Sequence, residues 1–289
     1  IAVRLEAEGD VSLKEGEKSN AFVAWTAPRR GAYLPTPIEK LHRLGEIHGL
    51  DLWVKRDDLT GTAMSGNKIR KLEFLVFDAL AQKADLLITC GAVNSNHARA
   101  TAVAAARQGL RSHLVLRGEE PELPDGNLLL DRMLGARTTF ITHEQWPDRD
   151  ALMAEIADRH AADGGIAYAI PEGGSNGRGC LGYVRCVQEL LEHERIEGID
   201  VKRVFHATGS GGTTAGLALG FAAAGRDDVQ VVGVAVCDDT AYFDAKVGGI
   251  CDEAVELGFV SPRVRERARW TIAEGYQGEG YGKTTPTEL

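Results

Sequence analysis

The sequence predicts an α/β fold in which parallel sheets are covered by helices. Three observations carry that expectation. Strand and helix patterns alternate along most of the chain. Several strands, such as Asp85-Leu86-Leu87-Ile88-Thr89-Cys90, are continuously apolar. No internal repeat or low-complexity linker breaks the alternation. An apolar run without alternation marks a strand buried on both faces, which is how parallel sheets sit between helices.

Residues 1–32 have weak periodicity and read as a peripheral arm. Tyr33-Leu34-Pro35-Thr36-Pro37-Ile38 is a proline-pinned extended segment. Residues 38–48 read as a helix stopped by Gly49, and 52–55 as a short strand. A loop over 57–61 leads to Ser65-Gly66-Asn67-Lys68, after which Ile69, Leu72, Leu75, Val76, Ala79 and Leu80 follow helical spacing. Lys68 then stands in the first turn, where a cation opposes the helix dipole. That field lowers the amine's pKa, and a lysine able to shed its proton can attack a carbonyl.

The alternation continues with a strand over 85–90, a loop over 91–96 and an alanine-rich helix over 97–107. A strand over 112–116 precedes a helix over 127–134. A strand over 138–141, a helix over 149–161, a strand over 166–170 and a helix over 181–194 come next. The last pairs are a strand over 203–207 with a helix over 214–224, then a strand over 229–236.

At 289 residues the chain can form two lobes or one large α/β domain. Its net charge of −9, without a basic stripe, argues against a nucleic-acid partner. Its longest apolar runs, such as residues 217–224, are too short to span a bilayer. No signal-peptide pattern opens the chain, and five widely spaced cysteines fit buried thiols in a reducing cytoplasm. No cluster has metal-ligand spacing, so no metal is expected. The start at Ile1 and the helix-like opening in Pro286-Thr287-Glu288-Leu289 predict that the chain continues at its ends.

Three loops that follow predicted strands carry the candidate chemistry, since ligands bind at the carboxyl ends of such strands. Gly209-Ser210-Gly211-Gly212-Thr213-Thr214 allows close backbone approach to one phosphate group at a helix start. It lacks the lysine of a nucleoside-triphosphate loop and departs from the dinucleotide fingerprint at Thr214. Gly91-Ala92-Val93-Asn94-Ser95-Asn96-His97 offers amides, a hydroxyl and an imidazole, or simply a helix cap. Glu172-Gly173-Gly174-Ser175-Asn176-Gly177 could wrap a cofactor ring or be only a turn. The pairs Asp57-Asp58 and Asp238-Asp239 fit capping or surface roles as well as acid–base work.

These motifs occur in a definite order together with Leu34-Pro35-Thr36-Pro37 and Val54-Lys55-Arg56-Asp57-Asp58-Leu59-Thr60-Gly61. In that order they strongly resemble the D-cysteine desulfhydrase and 1-aminocyclopropane-1-carboxylate deaminase family. The likeness runs from about Pro35 to Glu288. It implies a two-lobed, pyridoxal-phosphate-dependent fold of the tryptophan-synthase-β type (fold type II). Residues 1–72 and 179–289 would form the large cofactor domain, and 73–178 a smaller α/β domain. Lys68 would carry the pyridoxal Schiff base, Asn96 would bond the ring hydroxyl oxygen, and Gly209, Ser210, Gly211, Gly212 and Thr213 would hold the phosphate. Ser95 would face the substrate carboxylate or assist proton transfer, and Asn94, Ser95 and His97 would bind the substrate, the loop orienting its carboxylate on the helix-start amides. Tyr281 looks like the family's active-site tyrosine. The family usually has glutamine where this chain has Asn94, and its partner for the pyridine nitrogen is expected beyond Leu289.

The implied reaction is α,β-elimination from a β-substituted amino acid, with D-cysteine giving pyruvate, ammonia and sulfide. Cyclopropane ring opening to 2-oxobutanoate, elimination from a substrate such as L-cysteate, and cofactor binding without turnover are the alternatives. The resemblance also implies a homodimer.

Overall fold

The computed structural model describes residues 31–61, 63 and 65–277. Tyr281 and nearly all of the expected peripheral arm lie outside the described residues. Contacts divide the chain into two compact units, one ending at Gly174 and the other taking up at Ser175.

The first unit opens with β1 (Ile38–Lys40), α1 (His42–His48) and β2 (Trp53–Lys55). β1 and β2 pair antiparallel, with Ile38 opposite Lys55. This corrects the helix expected over 38–48. Its first residues are drawn into a ladder with a strand that is distant in sequence, and the helix begins only at His42.

Next come α2 (Lys68–Ala81), β3 (Leu86–Ala92), α3 (Asn96–Arg107), β4 (Arg111–Arg117), α4 (Gly126–Met133), β5 (Arg137–Ile141), α5 (Arg149–Ala162) and β6 (Ala167–Ala169). The sheet order is β5-β4-β3-β6, and every pairing is parallel. Ile69, Leu72, Leu75 and Val76 of α2 pack with Ala100, Val103 and Ala104 of α3 and with Leu87. Ile88, Cys90 and Val115 pack with Met153 and Ile156 of α5. Successive β3 residues thus serve different clusters, which explains its unbroken apolar run.

The second unit holds α6 (Leu181–Glu197), β7 (Arg203–Thr208), α7 (Gly212–Ala223), β8 (Gln230–Ala235), α8 (Thr240–Glu256), α9 (Pro262–Arg267) and β9 (Thr271–Ala273). β7, β8 and β9 form a parallel sheet in that order. α6 and α7 approach closely at glycine: a Cβ on Gly216 would fall 2.1 Å from the Cys180 carbonyl oxygen. No helix among the described residues is long and apolar enough to cross a membrane.

Candidate active site

Lys68 is the first residue of α2, as its sequence context predicts. Its Nζ donates to Asn67 Oδ1 at 2.9 Å. Burial pulls the ammonium down to about 8, with Glu172 opposing the shift. Lys71 lies one turn further on and is 1% exposed, with Nζ donating to the Gly173 carbonyl at 3.1 Å. Of these two neighbouring amines, Lys71 is fastened to backbone, whereas Lys68 is half-buried and bonded to a side-chain amide next to it.

The helix start is anchored by Arg70, which is fully buried. Its Nε and Nη2 donate to the two oxygens of Asp57, each at 2.8 Å, and Nη2 also reaches Thr36 Oγ1 at 3.1 Å. A two-pronged guanidinium–carboxylate pair fixes geometry as well as charge. Asp57 therefore has a structural task, and Asp58 pairs with Arg56 at 2.8 Å.

The loop between β3 and α3 is organised by Ser95. Its Oγ accepts from the His97 and Ala98 amides, each at 3.2 Å, which makes it the N-cap of α3. Two first-turn amides are thereby used and do not remain for a substrate carboxylate. A Cβ on Gly91 would lie 2.5 Å from Ser95 Oγ, so the close approach requires glycine there.

His97 is 2% exposed, and its Nε2 lies 2.8 Å from Thr89 Oγ1. The Thr89 hydroxyl donates to the Ile170 carbonyl at 2.8 Å, so the ring nitrogen donates to Thr89. Burial holds His97 well below the usual imidazole range, helped by the charges of Lys68 and Lys71. It is a neutral ring in the floor of the loop, without an exposed face for a substrate.

Asn94 is turned toward α4. Its Oδ1 accepts from the Asn127 amide at 3.0 Å and the Leu128 amide at 3.4 Å. It serves as cap to that helix, where Asp125 makes no cap bond. Asn96 is exposed, and its Oδ1 accepts from Asn127 Nδ2 at 3.0 Å. Sequence reasoning passes over Asn127. The only local signal is the Asp125-Gly126 turn, and nothing in it points to a loop more than thirty residues earlier.

The second unit supplies the glycine turn. Gly211 occupies the cap position of α7 with φ +79°, a left-handed conformation that favours glycine. Its Cβ position lies 3.3 Å from Lys246 Cγ and Val247 Cγ2. Ser210 Oγ lies 2.8 Å from Ser175 Oγ, which accepts from the Gly212 amide at 3.2 Å. The third loop is thus tied to the turn by Ser175. Gly209 is exposed, Thr213 is buried, and Thr214 Oγ1 donates inward to Thr208 Oγ1 at 3.2 Å. Asp239 caps α8, accepting from the Tyr242 amide at 2.8 Å.

The first unit carries the Lys68 amine and the Ser95–Asn96 loop, and the second carries a glycine turn at a helix start, a place suited to an anion. A bifunctional D-cysteine desulfhydrase/1-aminocyclopropane-1-carboxylate deaminase of Arabidopsis thaliana, mitochondrial by name, is 39% identical over 268 residues. That alignment covers 89% of this chain and 65% of the relative's length. An enzyme of Thermotoga maritima carrying the name putative 1-aminocyclopropane-1-carboxylate deaminase is 42% identical, over 86% of this chain and 77% of its own length. The crystal structure of an ACC deaminase homologue superposes with a TM-score of 0.78 at 38% identity, over 90% of this chain and 76% of that one. The family model described as pyridoxal-phosphate dependent enzyme matches residues 30–285. On fold, matched length and relatives alike, the chain belongs to the family of pyridoxal-phosphate dependent enzymes.

Proposed function

We propose that this protein is a lyase that uses pyridoxal phosphate to remove the β-substituent of a small amino acid, with D-cysteine as substrate. The observation that carries the reading is the Lys68 amine, which burial brings to about 8, beside a loop bearing Ser95 and Asn96. The donor set fits the cofactor. An aldehyde requires an amine that is partly neutral near pH 7, and Lys68 supplies one. A phosphate requires close backbone approach at a helix start, and Gly209, Ser210, Gly211, Gly212 and Thr213 would supply it, with the Gly212 amide shared with Ser175 Oγ.

When bound, the cofactor supplies an electron sink for negative charge at the substrate Cα. Lys68 would take the Cα proton through its free amine as general base. Asn96 would hold the cofactor ring oxygen through its Nδ2. Ser95 accepts two amides and keeps its own hydroxyl proton to donate to the substrate carboxylate. His97 and Asn94 hold the loop: one supports it from beneath and the other ties it to α4. Tyr281 is assigned the role of active-site tyrosine from the family pattern. The net reaction is D-cysteine plus water giving pyruvate, ammonia and hydrogen sulfide.

Ring opening of 1-aminocyclopropane-1-carboxylate is the second reading, favoured by the names of several relatives. A homodimer and a cytoplasmic setting accompany the proposal. The cysteines are all thiols, four of them buried, which supports the latter.

Borohydride reduction of the cofactor-loaded protein, followed by peptide mapping, tests the lysine. The label is expected on Lys68, and capture of cofactor by the apoprotein should rise with pH through about 8 as the amine loses its proton. A label on Lys71 or elsewhere overturns the assignment. Assays with D-cysteine, L-cysteate and the cyclopropane substrate then decide the reaction. 2-Oxobutanoate from the last, with no sulfide from D-cysteine, would replace the first reading by the second.

A further inference from the structure

Asn127 stands in the first turn of α4, 31 positions from Asn96, and takes no part in the chemistry above. Its primary amide has two N–H donors, and both are engaged. One meets the Asn94 backbone carbonyl at 2.8 Å and the other Asn96 Oδ1 at 3.0 Å. Its own backbone amide is held by Asn94 Oδ1 at 3.0 Å. Asn127 cannot turn without losing both side-chain bonds.

The consequence falls on Asn96. With Oδ1 accepting from Asn127, a half-turn of the Asn96 amide would set N–H2 against N–H2. The Nδ2 end of Asn96 has no protein partner among the described residues and is the end left for a ligand. We propose that Asn127 is a positioning residue for the cofactor: it dictates that Asn96 presents a donor, not an acceptor, to the ring oxygen. This rests on the reading that Asn96 meets that oxygen. An ionised phenolic oxygen can only accept, so the polarity of the Asn96 amide decides whether the contact is attractive.

The test is titration of the apoprotein with pyridoxal phosphate for Asn127→Asp and Asn127→Ala, each made in the parent and in an Asn96→Ala background. Asn127→Asp keeps the shape but replaces the donor by an acceptor, so Asn96 turns its Nδ2 inward. Cofactor affinity is expected to fall about 10-fold or more, the size of one charge-assisted hydrogen bond. The pH midpoint of the bound cofactor's visible band should move upward, because the ionised ring oxygen loses its donor. Asn127→Ala removes the donor without adding an acceptor and should have the smaller effect. In the Asn96→Ala background both effects should vanish.

Equal losses in the two backgrounds would show that Asn127 only braces α4 and would overturn the inference, as would an unchanged band in Asn127→Asp. Should Asn127→Asp fail to fold, Asn127→Ala across the two backgrounds makes the same comparison. Failure of the parent protein to label at Lys68 would instead sink the reading of the site itself. Lys68 labelling with Asn127 effects that ignore Asn96 would sink this inference alone.

Discussion

The turn from β3 into α3 is closed by its own serine, whereas the turn from β7 into α7 has a glycine at the cap position and takes its side-chain bond, on the Gly212 amide, from Ser175 outside the turn. Both follow a parallel strand and both open a helix of twelve residues. In the first, Ser95 uses up the His97 and Ala98 amides, so anything this turn gives a ligand comes from side chains. In the second, Gly211 strips side chain away, so beyond the Gly212 amide held by Ser175 the contribution comes from backbone and the helix dipole. What stands behind the turns differs as well. The first is braced by polar and titratable groups of α4, the second by Lys246, Val247 and Ile250 of α8. Equivalent positions in an α/β fold have thus been finished in opposite ways.

The largest effect should come from the polar bracing. Asp131 of α4 is fully buried, and neither carboxylate oxygen has a hydrogen-bond partner. Burial raises it to about 7, with Arg99 opposing. Arg99 itself donates to the Ala63 and Ser65 carbonyls, in the segment that leads to Lys68. The sign follows from the raised value. Below about pH 4 the acid is protonated in both folded and unfolded chains and carries no ionisation penalty. Between about 4 and 7 the unfolded chain sheds the proton first, so stability falls as pH rises, and above 7 the whole penalty is present. Asp131→Asn should therefore stabilise the protein at pH 8 by up to about 4 kcal/mol, a gain that shrinks toward zero near pH 4. Urea unfolding at the two pH values measures it, and an equal effect at both would place no titrating burden on Asp131.

The second effect belongs to the bare turn. Gly211→Ala forces a left-handed conformation on a residue with a side chain, at a cost of roughly 1–2 kcal/mol. It also sets a Cβ 3.3 Å from Lys246 Cγ and Val247 Cγ2. Affinity for pyridoxal phosphate should drop about 10-fold, while affinity for pyridoxal, which lacks the phosphate, should stay the same. Equal losses for the two ligands would mean that the turn does not read the phosphate.

The contrast between the turns was only half legible in the sequence. The backbone turn announces itself, because Gly209-Ser210-Gly211-Gly212 between a strand and a helix admits few other purposes. β3 and α2 were equally plain, one as an unbroken apolar run and the other by its Ile69, Leu72, Leu75 and Val76 spacing. α8 passed unread, although Asp239 marks its start and Phe243, Val247, Ile250, Cys251 and Ala254 keep helical spacing on a buried face. The side-chain turn could not be read further than its residue types. Whether Asn94 faces a ligand or α4, and what Asn96 offers, depends on Asn127, which only the docking of α4 onto α3 brings near. The same holds for 38–40, where a strand partner fourteen or so residues away displaced the start of a helix.

The smallest effect, and the one that separates the two designs most cleanly, concerns Ser95 and Gly91. Ser95→Ala removes the cap and should cost about 1 kcal/mol of stability. Turnover should fall by far more than that loss explains, because the hydroxyl proton assigned to the substrate carboxylate goes with it. Gly91→Ala alone should destabilise, since its Cβ would sit 2.5 Å from Ser95 Oγ and 2.6 Å from Ser95 Cβ. The second distance means that Ser95→Ala cannot relieve the clash, whereas Ser95→Gly can. Thermal unfolding of the Gly91→Ala, Ser95→Gly and combined variants should therefore show the double change costing less than the sum of the single ones. Strict additivity would mean that Gly91 is not held to glycine by the serine cap, and the side-chain turn would then lose the feature that sets it apart from the backbone one.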